Sequence, residues 1–232
     1  MYRYETHLHT APVSRCAKAT VEQNLEFYKK MGYDGIFITN HFIDGNINID
    51  RSLNLPYEEV INFYFSDYEE ALELGKKIGL KVFLGVELSY KGTDFLIYGL
   101  DKEWFLAHPE ILEMKRSEEL KFMAENGALD IQAHPFRLGG HIDHIRLFPH
   151  CIHGVEVINS GRTEKENEIA KQYCENYGLA KIGGSDNHSA GKHKKLVGVC
   201  SKEPICSVQD FIEKVKNFEV EVFTLENEFI ND

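Results

Sequence analysis

Short runs of β-branched and aromatic residues alternate along this chain with longer stretches in which apolar residues recur every three or four positions. The short runs predict strands over Tyr2 to Leu8, Asp34 to Thr39, Lys81 to Val86, Asp94 to Gly99, Leu129 to Ala133, Gly154 to Ile158, Ala180 to Gly183 and Leu196 to Cys200. The longer stretches predict helices over Val21 to Met31, Tyr57 to Ile78, Pro109 to Glu125, Glu164 to Tyr177 and Val208 to Asn217. In the second helix Val60, Phe63, Tyr64, Tyr68, Ala71, Leu72, Leu74 and Ile78 form one amphipathic face.

Gly32, Gly79, Gly127 and Gly178 each stand where a left-handed residue would stop a helix just before the next strand. Strands alternating with helices predict an α/β fold with a mainly parallel sheet, either open and doubly wound or closed into a barrel. Two polar, turn-rich segments interrupt the pattern, one between Thr39 and Tyr57 and one between Phe136 and Cys151. Both are expected as loops at the mouth of a site.

With 232 residues, 43% of them hydrophobic, the chain can bury one sizeable core, so a single domain over residues 1–232 is expected. No run of about 20 apolar residues is present, and the N-terminus lacks the pattern of a secretory signal, so a cytoplasmic protein with no membrane association is expected. The five cysteines are scattered without a CxxC pair, which predicts neither a disulfide framework nor a zinc ribbon; most are expected as buried thiols. A net charge of -11 argues against a stable nucleic-acid complex, because phosphate backbones are held by clustered Lys and Arg. Bound cations can still reverse the potential inside one pocket, leaving an anionic small-molecule substrate possible.

The distinctive polar residues follow the predicted strands: His7 and His9, His41, Glu87, His134, and Asp186 with His188. In α/β proteins with parallel sheets, that end of the strands builds the site. Period-two spacing points His7 and His9 to one face, so two imidazoles can meet one metal ion. Asp186 and His188 repeat that spacing beside Gly183 and Gly184, where the backbone can bend close to a site. Glu87 closes an apolar strand, where a carboxylate is costly unless positive charge meets it. Mixed imidazole and carboxylate donors suit Zn, Mn or Fe.

His7-Leu8-His9, Thr39-Asn40-His41, Gly85-Val86-Glu87, Ala133-His134-Pro135 and the segment Gly183 to His188, in that order, resemble the PHP family, named for polymerase and histidinol phosphatase. The resemblance covers about residues 5 to 199 and implies a distorted seven-stranded (β/α)7 barrel with a trinuclear metal centre and phosphoester hydrolysis. Carried over position by position, His7, His9, Glu87 and Asp186 hold one ion, Glu87 and His134 a second, and His41 and His188 a third, with Glu87 as the bridge. Two or three divalent ions are therefore expected.

Two departures qualify the pattern. Where family members often carry Asp or His soon after the first motif, this chain offers Cys16, and where many carry His on the strand after the Glu, it has Leu96 with Asp94 on the same face. Metal ions in such a site generate a hydroxide nucleophile and clamp phosphoryl oxygens. Arg137 and Arg162 are the expected substrate-binding guanidiniums, with Arg162 and Asp186 assigned catalytic roles. A small phosphomonoester such as histidinol phosphate or a nucleotide is the expected substrate. The alternatives are an amidohydrolase, disfavoured because no Lys stands at a suitable strand end for a carbamate bridge, and a non-catalytic metal-binding regulatory domain. His108, His141, His144, His150, His153 and His193 are expected at the surface.

Overall fold

In the computed structural model, which describes residues 1–140 and 142–228, the chain runs β1 (Tyr2–Glu5), α1 (Val21–Lys30), β2 (Gly35–Ile38), α2 (Tyr57–Ile78), β3 (Lys81–Tyr90) and β4 (Thr93–Tyr98). It continues through α3 (Lys102–Ala107), α4 (Arg116–Glu125), β5 (Leu129–Ala133), β6 (Gly154–Asn159), α5 (Glu164–Tyr177), β7 (Ala180–Gly184), β8 (Lys195–Ser201), α6 (Val208–Lys216) and β9 (Glu221–Glu226). His141 lies outside the described residues.

All four predicted helix-stopping glycines have positive φ, from 64° at Gly178 to 93° at Gly127, as a left-handed stop requires. Thr20 and Thr163 start α1 and α5 as reciprocal capping boxes with Gln23 and Glu166. The predicted helix over 109–125 is broken into a 3₁₀ turn (Pro109–Glu113) and α4, with Met114 extended. Ile111 and Leu120 are both buried, yet nine residues of continuous α-helix would set them on opposite faces; the break lets both reach the core.

The strands form one sheet in the order β7-β6-β5-β4-β3-β2-β1-β8-β9. Beyond the end of β1, Leu8 bridges Asn187 just past β7, which brings the two sides of the sheet together and makes the barrel nearly closed. The expectation of seven strands is corrected to nine among the described residues, because an antiparallel β8–β9 pair is added beside β1. The mainly parallel expectation is also corrected: β3–β4, β4–β5, β1–β8 and β8–β9 are antiparallel.

The barrel interior is filled by Tyr4, Phe37, Tyr98, Leu129, Ile131 and Ile182, against which α6 packs Phe211, Ile212 and Val215. Phe37 and Phe211 ring centroids lie 4.4 Å apart. Outside, α2, α4 and α5 cover β3 to β6, and α1 with part of α2 covers β2. The buried face of α2 is Ile61, Tyr64, Phe65, Asp67, Ala71 and Gly75, so the predicted stripe omits a buried carboxylate at its centre. Among the described residues, no helix is long and apolar enough to cross a membrane.

Candidate metal centre

Just past β1, His7, Leu8 and His9 are held on one side by Leu8 N–H to Thr39 Oγ1 and on the other by His9 N–H to Asn187 O. Period-two alternation then buries Leu8 in the wall and aims both imidazoles inward, with their Nε2 atoms 3.2 Å apart. Glu87 lies inside β3 rather than after it, because β3 runs on to Tyr90 as the first arm of a hairpin. Its oxygens stand 3.2 Å from His7 Nε2 and 3.3 Å from His9 Nε2. Asp186 Oδ1 completes the group at 3.5 Å and 3.3 Å from the same nitrogens.

Around Glu87 two further groups converge. On one side are His134 Nε2, 3.6 Å from Glu87 Oε1 and 3.7 Å from Asp186 Oδ2, and Asp94 Oδ2, 3.9 Å from His134 Nε2. On the other, His41 Nδ1 is 2.7 Å from Glu87 Oε2, and the His9 ring lies 4.4 Å from His41 and 4.3 Å from His188. Asp94 reaches the site because β4 runs antiparallel, so its first residues stand at the end where the parallel strands finish; Glu87 faces Leu96 across the pair.

This donor set fits metal ions. Tetrahedral ligands at about 2.0–2.2 Å from an ion are roughly 3.3–3.6 Å from one another, and the separations among His7, His9, Glu87 and Asp186 are 3.2–3.5 Å. Both Glu87 oxygens, His41 Nδ1 and His134 Nδ1 are buried without a hydrogen-bond partner. Leaving a buried charged group unmatched costs several kcal/mol, more than one fully buried core side chain returns at about 1.5–3 kcal/mol. Cations placed among these groups would meet both Glu87 oxygens and the imidazole nitrogens that face them. Burial pushes the Glu87 and Asp186 carboxyls upward, but the surrounding imidazoles outweigh it and hold both well below the usual range.

The surrounding polar shell fixes these side chains. Glu156, wholly buried, places Oε1 2.9 Å from His7 Nδ1, while Oε2 accepts from His134 N–H at 2.9 Å and Asn159 Nδ2 at 3.0 Å. Such a carboxylate leaves His7 Nε2 as the metal-facing nitrogen. Glu5 Oε1 accepts from the backbone N–H groups of His7 and Ser185, and Oε2 from Tyr28; burial pushes its carboxyl up to about 7. Asp67 accepts from Thr10 Oγ1 and Asn40 Nδ2, Asn40 Oδ1 accepts from Ser14 Oγ, and that hydroxyl lies 3.3 Å from His9 Nδ1. His134 and Asp186 have φ of 26° and 52°, strain characteristic of residues held by their surroundings at a site. Gly184 permits the close approach: a Cβ there would lie 2.4 Å from His7 Cβ.

A cavity of about 400 Å³ opens over this cluster, lined by Cys16, Asn46, Ser89, Arg137 and Arg162 and, of the ligand candidates, by His41, Glu87, Asp94, His134, Asp186 and His188, with His7 and His9 buried beneath. The structure thus brings together all seven sequence-predicted ligand candidates, both arginines, Cys16 and Asp94. Arg137 Nη1 is 3.1 Å from Asp94 Oδ2, and Arg162 Nε is buried without a hydrogen-bond partner. The loops expected at the mouth contribute Gly45, Asn46 and Arg137 to the lining. Cys16 contacts His188 and His41, which outweigh its burial and hold the thiol down at about 6.

Sequence reading missed Glu156, Glu5 and Asp67; a carboxylate inside an otherwise apolar strand, as in Gly-Val-Glu-Val-Ile, is the signal that could have exposed Glu156. Three histidines expected at the surface, His108, His153 and His193, are partly buried. His193 lies within electrostatic reach of Asp186, His188 and Arg162, and His153 Nδ1 accepts the Asp130 N–H at 3.1 Å. All five cysteines are free, with Cys174 and Cys200 buried, Cys16 and Cys151 partly so and Cys206 exposed.

No family model and no curated protein sequence matches the chain. Among solved structures it resembles a two-domain Bacteroides vulgatus protein containing a predicted PHP-like metal-dependent phosphoesterase, at 20% identity and TM-score 0.68. That match covers 96% of this chain but 64% of the other, so this chain spans less than two thirds of it. A candidate metal-dependent phosphoesterase of Bifidobacterium adolescentis matches at 15% identity and TM-score 0.55, covering 82% of this chain and 88% of that one. An amidohydrolase of Chromobacterium violaceum, with bound sulfate and no metal, matches at 14% identity and TM-score 0.54, covering 97% and 98%. The chain therefore has the barrel fold seen in these PHP-like and amidohydrolase structures.

Proposed function

We propose that this chain is a metal-dependent hydrolase of a small phosphate ester. The observation that carries the reading is the buried convergence of His7, His9, Glu87 and Asp186 at 3.2–3.5 Å, with both Glu87 oxygens lacking a hydrogen-bond partner. These four residues would hold one divalent ion, Glu87, His134 and Asp94 a second, and His41 and His188 a third, with Glu87 shared. Zn, Mn and Fe are the ions suited to this set. Bound ions supply Lewis acidity toward a water molecule and toward the phosphoryl oxygens.

The remaining work falls to the chain. Arg162 offers a buried, unpartnered Nε to a phosphoryl oxygen, and Arg137, set by Asp94, adds a second positive charge at the cavity wall. Glu156, Glu5 and the Asp67–Asn40–Ser14 chain keep the imidazoles aimed, so little reorganisation is needed when substrate arrives. The phosphoesterase and sulfate-bound neighbours of the same fold support an anionic substrate. Among the described residues no lysine lines the cavity, so the carbamate bridge of an amidohydrolase has no residue there to form on, and Glu87 would take the bridging role.

Elemental analysis of the purified protein, followed by assays of p-nitrophenyl phosphate and a phosphodiester analogue with Mn, Zn or Fe restored after chelation, tests the reading. Two or three ions per chain with metal-dependent ester cleavage are expected. Bound ions without cleavage of any phosphate ester would sink the phosphoesterase assignment, and a protein that binds no ion would sink the metal centre.

A further inference from the structure

Arg116 is the first residue of α4 and, unlike the exposed Lys115 beside it, is buried, with 8% of its surface exposed. A positive charge is unfavourable here, because a helix N-terminus is the positive end of the macrodipole. Its partners lie elsewhere. Nη1 is 2.8 Å from Glu119 Oε2, one turn along α4, while Nη2 donates to the Asp44 carboxylate and, at 3.0 Å, to the Ser89 carbonyl on β3. The guanidinium also stands 5.5 Å from the centre of the Tyr90 ring and 6.0 Å from that of Phe95.

Asp44 and Ser89 belong to two segments that meet at the metal centre. Asp44 Oδ1 accepts the Ser89 N–H at 3.2 Å, so Asp44 and Arg116 together engage both backbone polar groups of Ser89. Two residues earlier in β3 the same segments are joined by Glu87 N–H to Asn40 O and Phe42 N–H to Glu87 O. That first fastening brackets His41, whose Nδ1 lies 2.7 Å from Glu87 Oε2. The turn beyond it is pressed close to the strand: a Cβ on Gly45 would lie 2.8 Å from Ser89 Oγ and 3.2 Å from His41 Cβ, and Gly45 and Ser89 both line the cavity. Arg51 holds the same turn by the Ile43 and Gly45 carbonyls.

We propose that Arg116 is a positioning residue of the metal centre, clamping the turn from His41 to Gly45 against β3 through Asp44 and Ser89 and so fixing His41 relative to Glu87. The inference rests on the metal-centre reading above. A fastening at one point leaves the turn free to pivot; the second, at Asp44, removes that freedom before any ion arrives. Arg116 matches the charge of Asp44, and Glu119 holds the guanidinium from the other side. The planar fork serves all three groups at once, whereas the ammonium of a lysine is a point charge on a flexible stem. Groups that orient metal ligands in this way raise metal affinity or activity by about 10–100-fold.

The test compares wild type with Asp44→Ala, which removes the clamp but leaves the buried Arg116–Glu119 pair intact, and with Arg116→Lys and Arg116→Met. Hydrogen exchange of the metal-free proteins, read by mass spectrometry, is expected to be at least about fivefold faster over residues 41–49 in Asp44→Ala, with α5 and α6 unchanged. In Co(II) titrations followed by d–d absorption, Asp44→Ala and Arg116→Met should bind cobalt about tenfold more weakly with an altered spectrum, and Arg116→Lys should fall between Arg116→Met and wild type. An equal rise in exchange over all peptides, or none over 41–49, overturns the clamp. Faster local exchange with wild-type cobalt affinity and spectrum overturns its link to the metal centre. A wild type that binds no cobalt sinks the metal-centre reading and the positioning role with it, while the exchange contrast still decides whether Arg116 and Asp44 clamp the turn.

Discussion

Glu156 Oε1 stands 2.9 Å from His7 Nδ1 in a wholly buried pair, and the other oxygen of the same carboxylate receives the backbone N–H of His134. One side chain on β6 therefore positions ligand candidates on β1 and at the end of β5, which belong to different proposed ion sites.

Glu156→Gln keeps the volume but weakens the charge-assisted contact to His7 and His134. Metal affinity or activity is expected to fall by about 10–100-fold, as for other carboxylates that orient metal-bound imidazoles. Isothermal titration with Zn and steady-state assays would show it; unchanged affinity and kcat would remove Glu156 from any positioning role.

Removal of Glu87 takes away the carboxylate proposed to be shared between ion sites, and removal of Asp186 takes away one proposed to hold the first ion. Glu87→Ala and Asp186→Ala are each expected to lower turnover by more than about a thousandfold, since the ions contribute several kcal/mol to transition-state stabilisation. The far-ultraviolet circular dichroism should be retained, because what is lost is a buried charge and not core packing. Wild-type turnover in either folded variant contradicts its proposed ligand role.

Arg162 and Arg137 differ in their free-state partners. Asp94 already engages Arg137 at 3.1 Å, whereas Arg162 Nε is buried without a hydrogen-bond partner. Loss of a charge-assisted hydrogen bond worth about 1.5–3 kcal/mol should weaken inhibition by inorganic phosphate roughly 10–100-fold in Arg162→Ala. Equal inhibition constants for wild type and variant would take Arg162 out of the anion site.

His153 supplies a pH dependence separate from the metal centre. Burial, with Lys216 nearby, lowers its pKa from 6.5 to about 4, and protonation of Nδ1 would break its bond from Asp130 N–H. Between those two values the unfolded chain binds the proton and the folded chain does not, so this residue's contribution to stability is lost as pH falls from 6.5 toward 4. Urea unfolding across that range should show wild type losing more stability than His153→Gln, whose side chain does not titrate. Parallel pH profiles for the two proteins would exclude the effect.

Much of the fold was legible because it is written in local periodicity. α2 and α5 match their predicted bounds, and all four helix-stopping glycines take the left-handed conformation expected of them. The antiparallel arms were not legible in the same way. The chain over 81–98 reads as two apolar strands whether they pair parallel or as a hairpin, and only the two-residue link at Lys91 and Gly92, both with positive φ, decides for the hairpin. β9 was missed although Val222, Phe223, Thr224 and Leu225 favour a strand; its side chains are exposed or half-buried, without the buried face that marks the other strands.

The chain by itself pointed to the side chains that could serve as ligands, since HxH spacing on extended backbone sends both imidazoles to one face, whereas the left-handed backbone at Asp186 left the placement of the Asp186 and His188 pair to the tertiary structure. It also determined where helices stop and strands begin. Only the tertiary structure decided which ligand candidates come together, that Asp94 joins His134, that Cys16 lines one cavity with His41 and His188, and that Glu156, Glu5 and Asp67 hold them in place. The reason is physical: these relationships join residues as far apart as Glu5 and Ser185, and their distances are set by strand order, register and barrel closure rather than by any interval along the chain.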